Sequence, residues 1–217
     1  VYKEAISLRT GGFMNKDPEN FTPFIPADKV LKEFSPVSII LGILIAVVFG
    51  GANAYLGLKV GLTISASIPA AVISMGILRG IMRRKSILEN NMVQTIGSAG
   101  ESLAAGVIFT VPAMFLWGMA PGYMTVFMMA LLGGLLGVIM MIPLRKFLIV
   151  AEHGKLPFPE GTACADILIA GEEGGSKAAT VFIGLGAGAL YKFIADGIKL
   201  FPTEIEWEIP KYKNGAV

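Results

Sequence analysis

Long apolar stretches separated by short polar connections dominate the chain. Several of them approach or exceed the roughly 18 to 20 residues that an α-helix needs to cross a bilayer. Pro69 and Pro112 interrupt such runs, and glycines are frequent in them, which favours broken or re-entrant helices. The pattern predicts an all-α fold, a polytopic transmembrane helical bundle. About five spans are expected, at residues 36–55, 62–81, 92–117, 123–144 and 178–201.

The polar segments around this membrane domain, 36–201, set its expected orientation. Residues 1–35 form a polar arm, and 145–177 form a loop or re-entrant segment. Lys and Arg cluster around residues 79–85 and again in 145–177. The positive-inside rule places both connections and the N-terminal arm in the cytoplasm. Five crossings then leave residues 202–217 as an extracytoplasmic loop.

The third predicted span carries polar residues into an apolar run. Asn90, Gln94, Gly97 or Ser98, and Glu101 follow one another at helical steps of three and four, so they share one face of a helix, and Asn91 adjoins it. The wholly apolar part, 107–117, is too short to cross alone. Part of the polar face therefore lies within the bilayer, or the element is a re-entrant hairpin. Each single amide has an ordinary interpretation as an interhelical hydrogen bond; together they favour a cavity lining.

Glu101 is the candidate for proton coupling. Ionisable groups at membrane depth are rare and mark pathways or proton relays. Removal from water disfavours the charged form, so a buried carboxyl could take up and release a proton near neutral pH. The alternative interpretation is a carboxylate satisfied by neighbouring Ser98 or Ser102, by a helix N-terminus, or by water at the cytoplasmic surface.

A second polar segment, 156–168, has the features of a helix start. Pro157 and Pro159 exclude a regular helix through the residue between them. The following Glu-Gly-Thr can begin a helix and present free backbone N–H groups. The alternative is a purely structural loop. Candidate site residues here, near the cytoplasmic mouth, are Glu160, Gly161, Thr162 and Asp166.

Composition narrows the class of protein. Of 217 residues, 54% are hydrophobic and only 16% are charged, whereas soluble domains are about 25% charged. This is the composition of an integral membrane protein. The single Cys164 and the single His153 favour neither a disulfide nor a metal site, so no metal and no cofactor are expected. No basic stretch interleaved with aromatic residues suggests a nucleic-acid partner.

Three ordered motifs resemble the oligopeptide transporter superfamily. ENNMVQT (89–95) is similar to the E-N-x-x-x-Q-T segment of that superfamily, and LPFPEGTACADIL (156–168) to its L-x-x-P-S-G-T-A-T-A segment. NAYLGLKVGLT (53–63) resembles its first inter-helix motif. The resemblance covers about residues 8–217 and is closest to the bacterial branch, related to plant yellow stripe-like carriers. Glu160 stands where many relatives have Ser and Cys164 where they often have Thr, which sets the chain apart from the plant metal-chelate carriers.

The resemblance implies a secondary active transporter, a proton-coupled symporter that imports oligopeptides or peptide-like metal chelates. It implies about sixteen helices in two related halves around a central cavity, in the plasma (inner) membrane, with this chain as the N-terminal part. The expected partners are the small-molecule substrate, the lipid bilayer and the remaining helices of the full-length transporter; a homo-oligomer is left open. The proton is the expected coupling ion. Residues expected to bind substrate or line the cavity are Asn53, Asn90, Asn91, Gln94, Thr95, Gly161 and Thr162.

Two other classes of function remain as alternatives. A membrane-embedded enzyme could use Glu101, His153 and Asp166. No pattern of nucleophile or metal ligands supports it, and His153 is expected in the cytoplasm while Glu101 lies in or near the bilayer. The chain is therefore interpreted as a non-enzyme. The second alternative is a channel or a non-transporting membrane subunit.

Overall fold

A computed structural model describes residues 24–198 except 27, 85, 153 and 154, and it leaves the side chains of residues 175, 177 and 196 undescribed. Most of the predicted N-terminal arm, the end of the fifth span, the loop 202–217 and His153 lie outside the described residues. The described part is all-α, as the sequence predicts. Its α-helices are α1 Pro36–Val60, α2 Ser67–Met75, α3 Ile87–Leu116, α4 Tyr123–Arg145, α5 Pro159–Glu173 and α6 Gly175–Lys192.

Helix α1 is continuous through the glycine-rich stretch where the first span was expected to end. Ser35 and Ser38 form a capping box at its start, with Pro36 in the first turn. The helix passes residue 55 and ends at Val60, where Gly61 takes a left-handed conformation with φ 75°. Three glycines inside it, Gly42, Gly50 and Gly57, lie against α3 and form no turn.

The contact between α1 and α3 depends on residues without bulk. A Cβ added to Gly100 of α3 would lie 2.5 Å from the Cβ of Ala46 on α1. A Cβ added to Gly57 of α1 would lie 2.7 Å from Cγ2 of Ile108 on α3. Small residues let helix backbones approach closely, which drives helix association where lipid removes the hydrophobic contribution. This interface holds α1 and α3 in register.

Helix α2 is shorter than the second predicted span, 62–81. Residues 62–66 are not helical, and the helix begins at Ser67. A π-helical turn, Gly76–Ile81, follows its last α-helical residue. Ala70 and Leu78 of this element pack in a buried cluster with Ile45 of α1 and Val93 of α3. The non-helical stretch exists because side chains of α1 and α3 take its backbone hydrogen bonds, as described below.

Helix α3 is one continuous element of 30 residues. Ser86 caps its start by accepting a hydrogen bond from the backbone N–H of Glu89. The helix contains both the polar run and the apolar run that follows it, and Pro112 lies inside it. It has no turn of the kind that a re-entrant hairpin would require.

The rest of the described chain comprises α4 to α6. A π-helical segment, Lys146–Ala151, extends α4, and α5 occupies most of the predicted loop 145–177. On α5, Leu168 packs with Ala71 and Ile87. From Glu173 onward the described residues belong to a second unit, which contains α6 and its π-helical extension Phe193–Gly197.

Helices long and apolar enough to cross a membrane number four within the described residues, against about five predicted spans. The difference is the second span, because Ser67–Ile81 is a shorter apolar helix. The four candidates are Pro36–Val60, Ile87–Leu116, Tyr123–Ala151 and Ala178–Ala195.

Candidate functional site

A cavity of about 1240 Å³ lies where three polar stretches of the chain meet. One wall is the non-helical segment before α2 with the first residue of that helix. The second is the polar face of α3, and the third is the start of α5 with the turn before it. The structure thus brings the motif at 89–95 and the motif at 156–168, far apart in sequence, to one site.

The polar face of α3 faces this cavity as a stripe at helical spacing. Asn91, Gln94, Ser98 and Glu101 all line the cavity, and they follow at steps of three, four and three. Gln94 also donates a weak hydrogen bond from Nε2 to Sγ of Cys164 on α5, at 3.9 Å. The stripe is the predicted face displaced by one position at its start, since Asn91 occupies the place expected for Asn90.

Glu101 lies at the wall of the cavity and is only 7% exposed. Its Oε1 accepts a hydrogen bond from Nδ2 of Asn53 at 2.7 Å. Its Oε2 accepts one from the backbone N–H of Ala66 at 3.4 Å. Ala66 is the N-cap residue of α2, and a helix N-terminus stabilises a nearby negative charge. Within the described residues, Glu101 takes part in no ion pair.

Asn53 sits beneath the cavity wall and joins α1 to the non-helical segment. It is 1% exposed. Its Oδ1 accepts a hydrogen bond from the backbone N–H of Ile64 at 3.0 Å, and its Nδ2 donates to the carbonyl of Ile64 at 2.9 Å as well as to Glu101. Buried backbone groups outside regular structure need such partners. Asn53 therefore stabilises the cavity wall without lining the cavity.

A row of hydroxyl groups runs along the wall between the two cavity carboxylates. The Ser65 hydroxyl donates a hydrogen bond to Oε1 of Glu160, and its Oγ lies 3.3 Å from Oγ of Ser67. Oγ of Ser67 lies 2.8 Å from Oγ of Ser98 on α3. Sequence reasoning missed Ser65 and Ser67, because single serines in an apolar stretch are common and carry no spacing signal. Their only signal is the local polarity of residues 63–67.

The start of α5 forms the third wall. Pro157 and Pro159 prevent an earlier helix start, as predicted, and Thr162 N–H donates to the carbonyl of Phe158 at 2.9 Å. Gly161, Thr162 and the exposed Glu160 line the cavity. Burial raises the pKa of the Cys164 thiol above its usual range, and the nearby Glu160 charge raises that pKa further.

The charges of the cavity wall are unequal. Among the described residues, the lining contains two carboxylates, Glu101 and Glu160, and one ammonium, Lys155. Nζ of Lys155 lies 3.3 Å from Oε2 of Glu152, so its charge is partly balanced outside the cavity. Neither cavity carboxylate has a cationic partner in the described part of the chain. The site therefore favours a ligand that carries a positive or hydrogen-bond-donating group.

Four predicted residues lie outside the cavity lining. Asn53 is buried behind it, and Asn90 is buried against Ser74, whose Oγ donates to Asn90 Oδ1 at 3.2 Å. Thr95 is exposed and bonds to the Asn91 carbonyl of its own helix. Asp166 is exposed on α5. The lining residues predicted from sequence are Asn91, Gln94, Glu101, Glu160, Gly161 and Thr162; contact of any of them with substrate stays a prediction.

The structure does not bring together the residues that the enzyme alternative requires, as far as they are described. Asp166 does not share the cavity with Glu101, and His153 lies outside the described residues. Among the residues that the structure describes, no three His, Cys, Asp or Glu side chains cluster in a way that could hold a metal ion. The cavity offers hydrogen-bonding and charged groups that can bind a ligand.

Comparison with known proteins gives two matches by sequence. The family model described as "OPT oligopeptide transporter protein" matches residues 33–207. A curated Haemophilus influenzae protein named "Putative oligopeptide transporter" is 43% identical over 151 residues, which are 67% of this chain and 23% of that protein. The chain thus spans about a quarter of the length of this relative. No solved structure gives a significant match.

These matches and the four candidate spanning helices agree with the sequence prediction of a multi-pass protein of the plasma membrane. The closer relation to plant yellow stripe-like carriers stays a prediction. The family model covers most of the described residues, including all three walls of the cavity. The chain belongs to the OPT oligopeptide transporter family.

Proposed function

We propose that the chain forms part of a secondary active transporter that imports oligopeptides together with protons, and that its cavity is part of the substrate pathway. The observation that carries the proposal is the meeting of the two motif segments at one cavity, with Glu101 buried in its wall. Family membership supports the transporter class over an enzyme. The remaining helices of the full-length protein would complete the pathway.

The lining suits a peptide because peptide groups need both donors and acceptors. Asn91 and Gln94 offer uncharged amides that can both donate and accept. Glu160 accepts hydrogen bonds or pairs with an ammonium group, and Lys155 can face a carboxylate. A peptide-like metal chelate presents similar amide and carboxylate groups, so it is the second ligand class to test.

Glu101 is the proposed proton site. It is the buried carboxylate of the wall, and its neighbours are neutral donors in place of a cation. Neutralising such a group by protonation leaves no unpaired positive charge behind, whereas neutralising one member of an ion pair would. The group can therefore alternate between charged and neutral forms during a transport cycle.

The test is uptake of a labelled peptide by proteoliposomes that contain the full-length protein. An inward proton gradient should drive saturable accumulation above the external concentration, and a protonophore should abolish the accumulation. Uptake that does not saturate, or that only equilibrates, would indicate a channel. Failure to accumulate any peptide or chelate under a gradient would refute the proposal. Thermal-shift measurements with peptides and metal chelates then separate the two ligand classes, because only a bound ligand stabilises the folded protein.

A further inference from the structure

The segment between α1 and α2, residues 61–66, is a non-helical strip of the cavity wall. Thr63, Ile64 and Ser65 of this strip line the cavity. Gly61 begins it with φ 75°, a conformation that glycine adopts without strain. Irregular backbone is tolerated at membrane depth only where protein or water satisfies its polar groups. Here two side chains from neighbouring helices do so.

Asn53 can hold the strip in only one orientation of its amide. Oδ1 must accept from the Ile64 N–H, and Nδ2 must donate to the Ile64 carbonyl. Rotating the amide by half a turn would place donor against donor and acceptor against acceptor. The pairing with Ile64 therefore fixes Nδ2, a donor, against Oε1 of Glu101.

Glu101 consequently meets a donor at each of its oxygens. Oε1 faces the fixed Asn53 amide, and Oε2 faces the N–H of Ala66, the last residue of the strip. An ionised carboxylate only accepts hydrogen bonds, so it fits both donors. A protonated carboxyl lacks the charge, and charge-assisted hydrogen bonds are roughly twice as strong as neutral ones. Protonation therefore weakens the bond of Glu101 to the strip at Ala66 and its bond to Asn53, the residue that holds the strip at Ile64.

We propose that Asn53 and Glu101 form a proton-sensitive latch on residues 61–66, which we call the Asn53–Glu101 latch. With Glu101 ionised the strip is held in the wall; with Glu101 protonated it is released and the wall rearranges. By reciprocity, release of the strip favours protonation of Glu101. This inference rests on the proposed proton-coupled transport and adds the place where proton binding is converted into movement.

Other charged groups near the latch can be distinguished from Glu101. Within the described residues, the only other charged groups that line the same cavity are Glu160 and Lys155. Glu160 accepts a hydrogen bond from Ser65 of the strip, so its contribution to a pH response is tested with a separate variant. The charged residue of α1, Lys59, places its Nζ 5.5 Å from the ring centre of Tyr55. On α3, the other carboxylate, Glu89, pairs with Arg84.

The strip itself, α2 and α5 carry no further charged side chain that lines the cavity, within the described residues. The strip itself has none, and α2 with its π-helical turn carries only Arg79. On α5, besides Glu160, the carboxylates are Asp166, Glu172 and Glu173. None of these four side chains lines the cavity. A pH response of the strip can therefore be assigned by comparing variants at Glu101 and Glu160.

The experiment measures motion of the strip at two pH values. A nitroxide is attached to Thr63→Cys in the full-length protein in which Cys164 and all other cysteines are replaced. The ratio of the mobile to the immobile spectral component should rise about tenfold from a buffer in which Glu101 is ionised to one acidic enough to protonate it, the change expected when charge-assisted bonds become neutral ones. A nitroxide at Thr95→Cys, exposed on α3 outside the cavity, should show no such change.

Substitutions of single carboxylates then identify the group that causes the pH response of the strip. Glu101→Gln should give the mobile spectrum at both pH values, because its amide places an N–H donor against one of the two donors. Glu172→Gln, on α5 outside the cavity, should behave as the parent protein does. The latch is refuted if the parent spectrum is the same at both pH values, or if Glu160→Gln abolishes the response while Glu101→Gln keeps it. The parent protein is compared with itself at two pH values. A folding defect in the Glu101→Gln variant therefore leaves this test of the latch intact.

The outcome is separable from that of the proposed function. A strip that moves with pH in a protein that accumulates neither peptide nor chelate supports the latch and refutes proton-driven import. Peptide accumulation with a strip that is immobile at both pH values refutes the latch alone.

Discussion

Helix α3 carries two buried carboxylates that differ in their partners. Glu89 is 2% exposed and lies 2.8 Å from Nη1 of Arg84. Glu101, 7% exposed, receives hydrogen bonds from Asn53 and from a backbone N–H, and no cation pairs with it in the described residues. Glu89 is therefore paired with a fixed opposite charge. Glu89 thus has the partner of a structural ion pair, whereas Glu101, which has neutral partners, is the carboxylate to which the proposed function assigns the proton.

The largest expected effect separates the two carboxylates by transport. Glu101→Gln should lower proton-driven peptide accumulation about tenfold or more. It should retain exchange of internal for external peptide, because exchange needs no net proton movement. Glu89→Gln, the matched substitution on the same helix, should keep gradient-driven accumulation per folded molecule. Equal loss of accumulation in both variants would remove the distinction between them.

A second test acts on the contact that brings Glu101 to Asn53. Gly100→Val places its side chain against Ala46, where even a Cβ would lie 2.5 Å from that residue's Cβ. Overpacking of this kind costs about 1–3 kcal/mol of the free energy of unfolding. It should also separate α1 from α3 beside Glu101 while leaving the Arg84 pair in place.

The control for this substitution lies on the same helix. A Cβ at Gly106 meets nothing within 4 Å in the described structure, so Gly106→Ala should not lower the thermal midpoint in detergent. A Gly100→Val protein with the parent midpoint and parent accumulation would show that the close approach of α1 and α3 is dispensable.

A smaller effect is expected from the ion pair itself. Removing the charge with Glu89→Gln should cost about 1–2 kcal/mol of stability, between the values for exposed and for fully buried pairs, because the Arg84 side chain is 35% exposed. Arg84→Met should cost at least as much, since it leaves a buried carboxylate unpaired. The measurement is the thermal midpoint of the full-length protein, and a midpoint unchanged in both variants would contradict a structural role for Glu89.

The smallest expected effect concerns Glu160, the exposed carboxylate of the cavity. Burial first, and then the charge of Glu160, raises the pKa of the Cys164 thiol. Alkylation of Cys164 should therefore be slow near neutral pH and should accelerate only as the pH rises toward and past that raised pKa, because the thiolate is the reactive form. Glu160→Gln removes one cause, so the alkylation profile should move modestly to lower pH. A profile moved to higher pH would show that the Glu160 charge does not act on the thiol.

The sequence predicted the parts of the site that depend on local spacing. Helical steps of three and four placed Gln94 and Glu101 on one face, and the two prolines placed the start of α5. The same spacing could not decide between Asn90 and Asn91, because neighbouring residues on a helix are only about 100° apart. In the structure Asn91 faces the cavity and Asn90 faces Ser74.

The parts that the sequence did not reveal depend on contacts between distant residues. The second span was expected to begin at residue 62, since its residues are apolar and suit a helix. The strip 61–66 is non-helical because Asn53 and Glu101, from two other helices, hold its backbone. The pairing of Arg84 with Glu89 likewise depends on how the chain turns before α3. Neither a turn direction nor a long-range hydrogen bond appears in hydrophobic periodicity.

Occupation of this cavity by peptide can be measured directly as protection of two adjacent residues from labelling. Gln94 lines the cavity, whereas Thr95 is exposed on α3 outside the lining. In a cysteine-free full-length protein, a transported peptide should slow maleimide labelling of Gln94→Cys and leave labelling of Thr95→Cys unchanged. Equal labelling rates at Gln94→Cys with and without peptide, or equal protection of both positions, would show that peptide does not occupy this cavity.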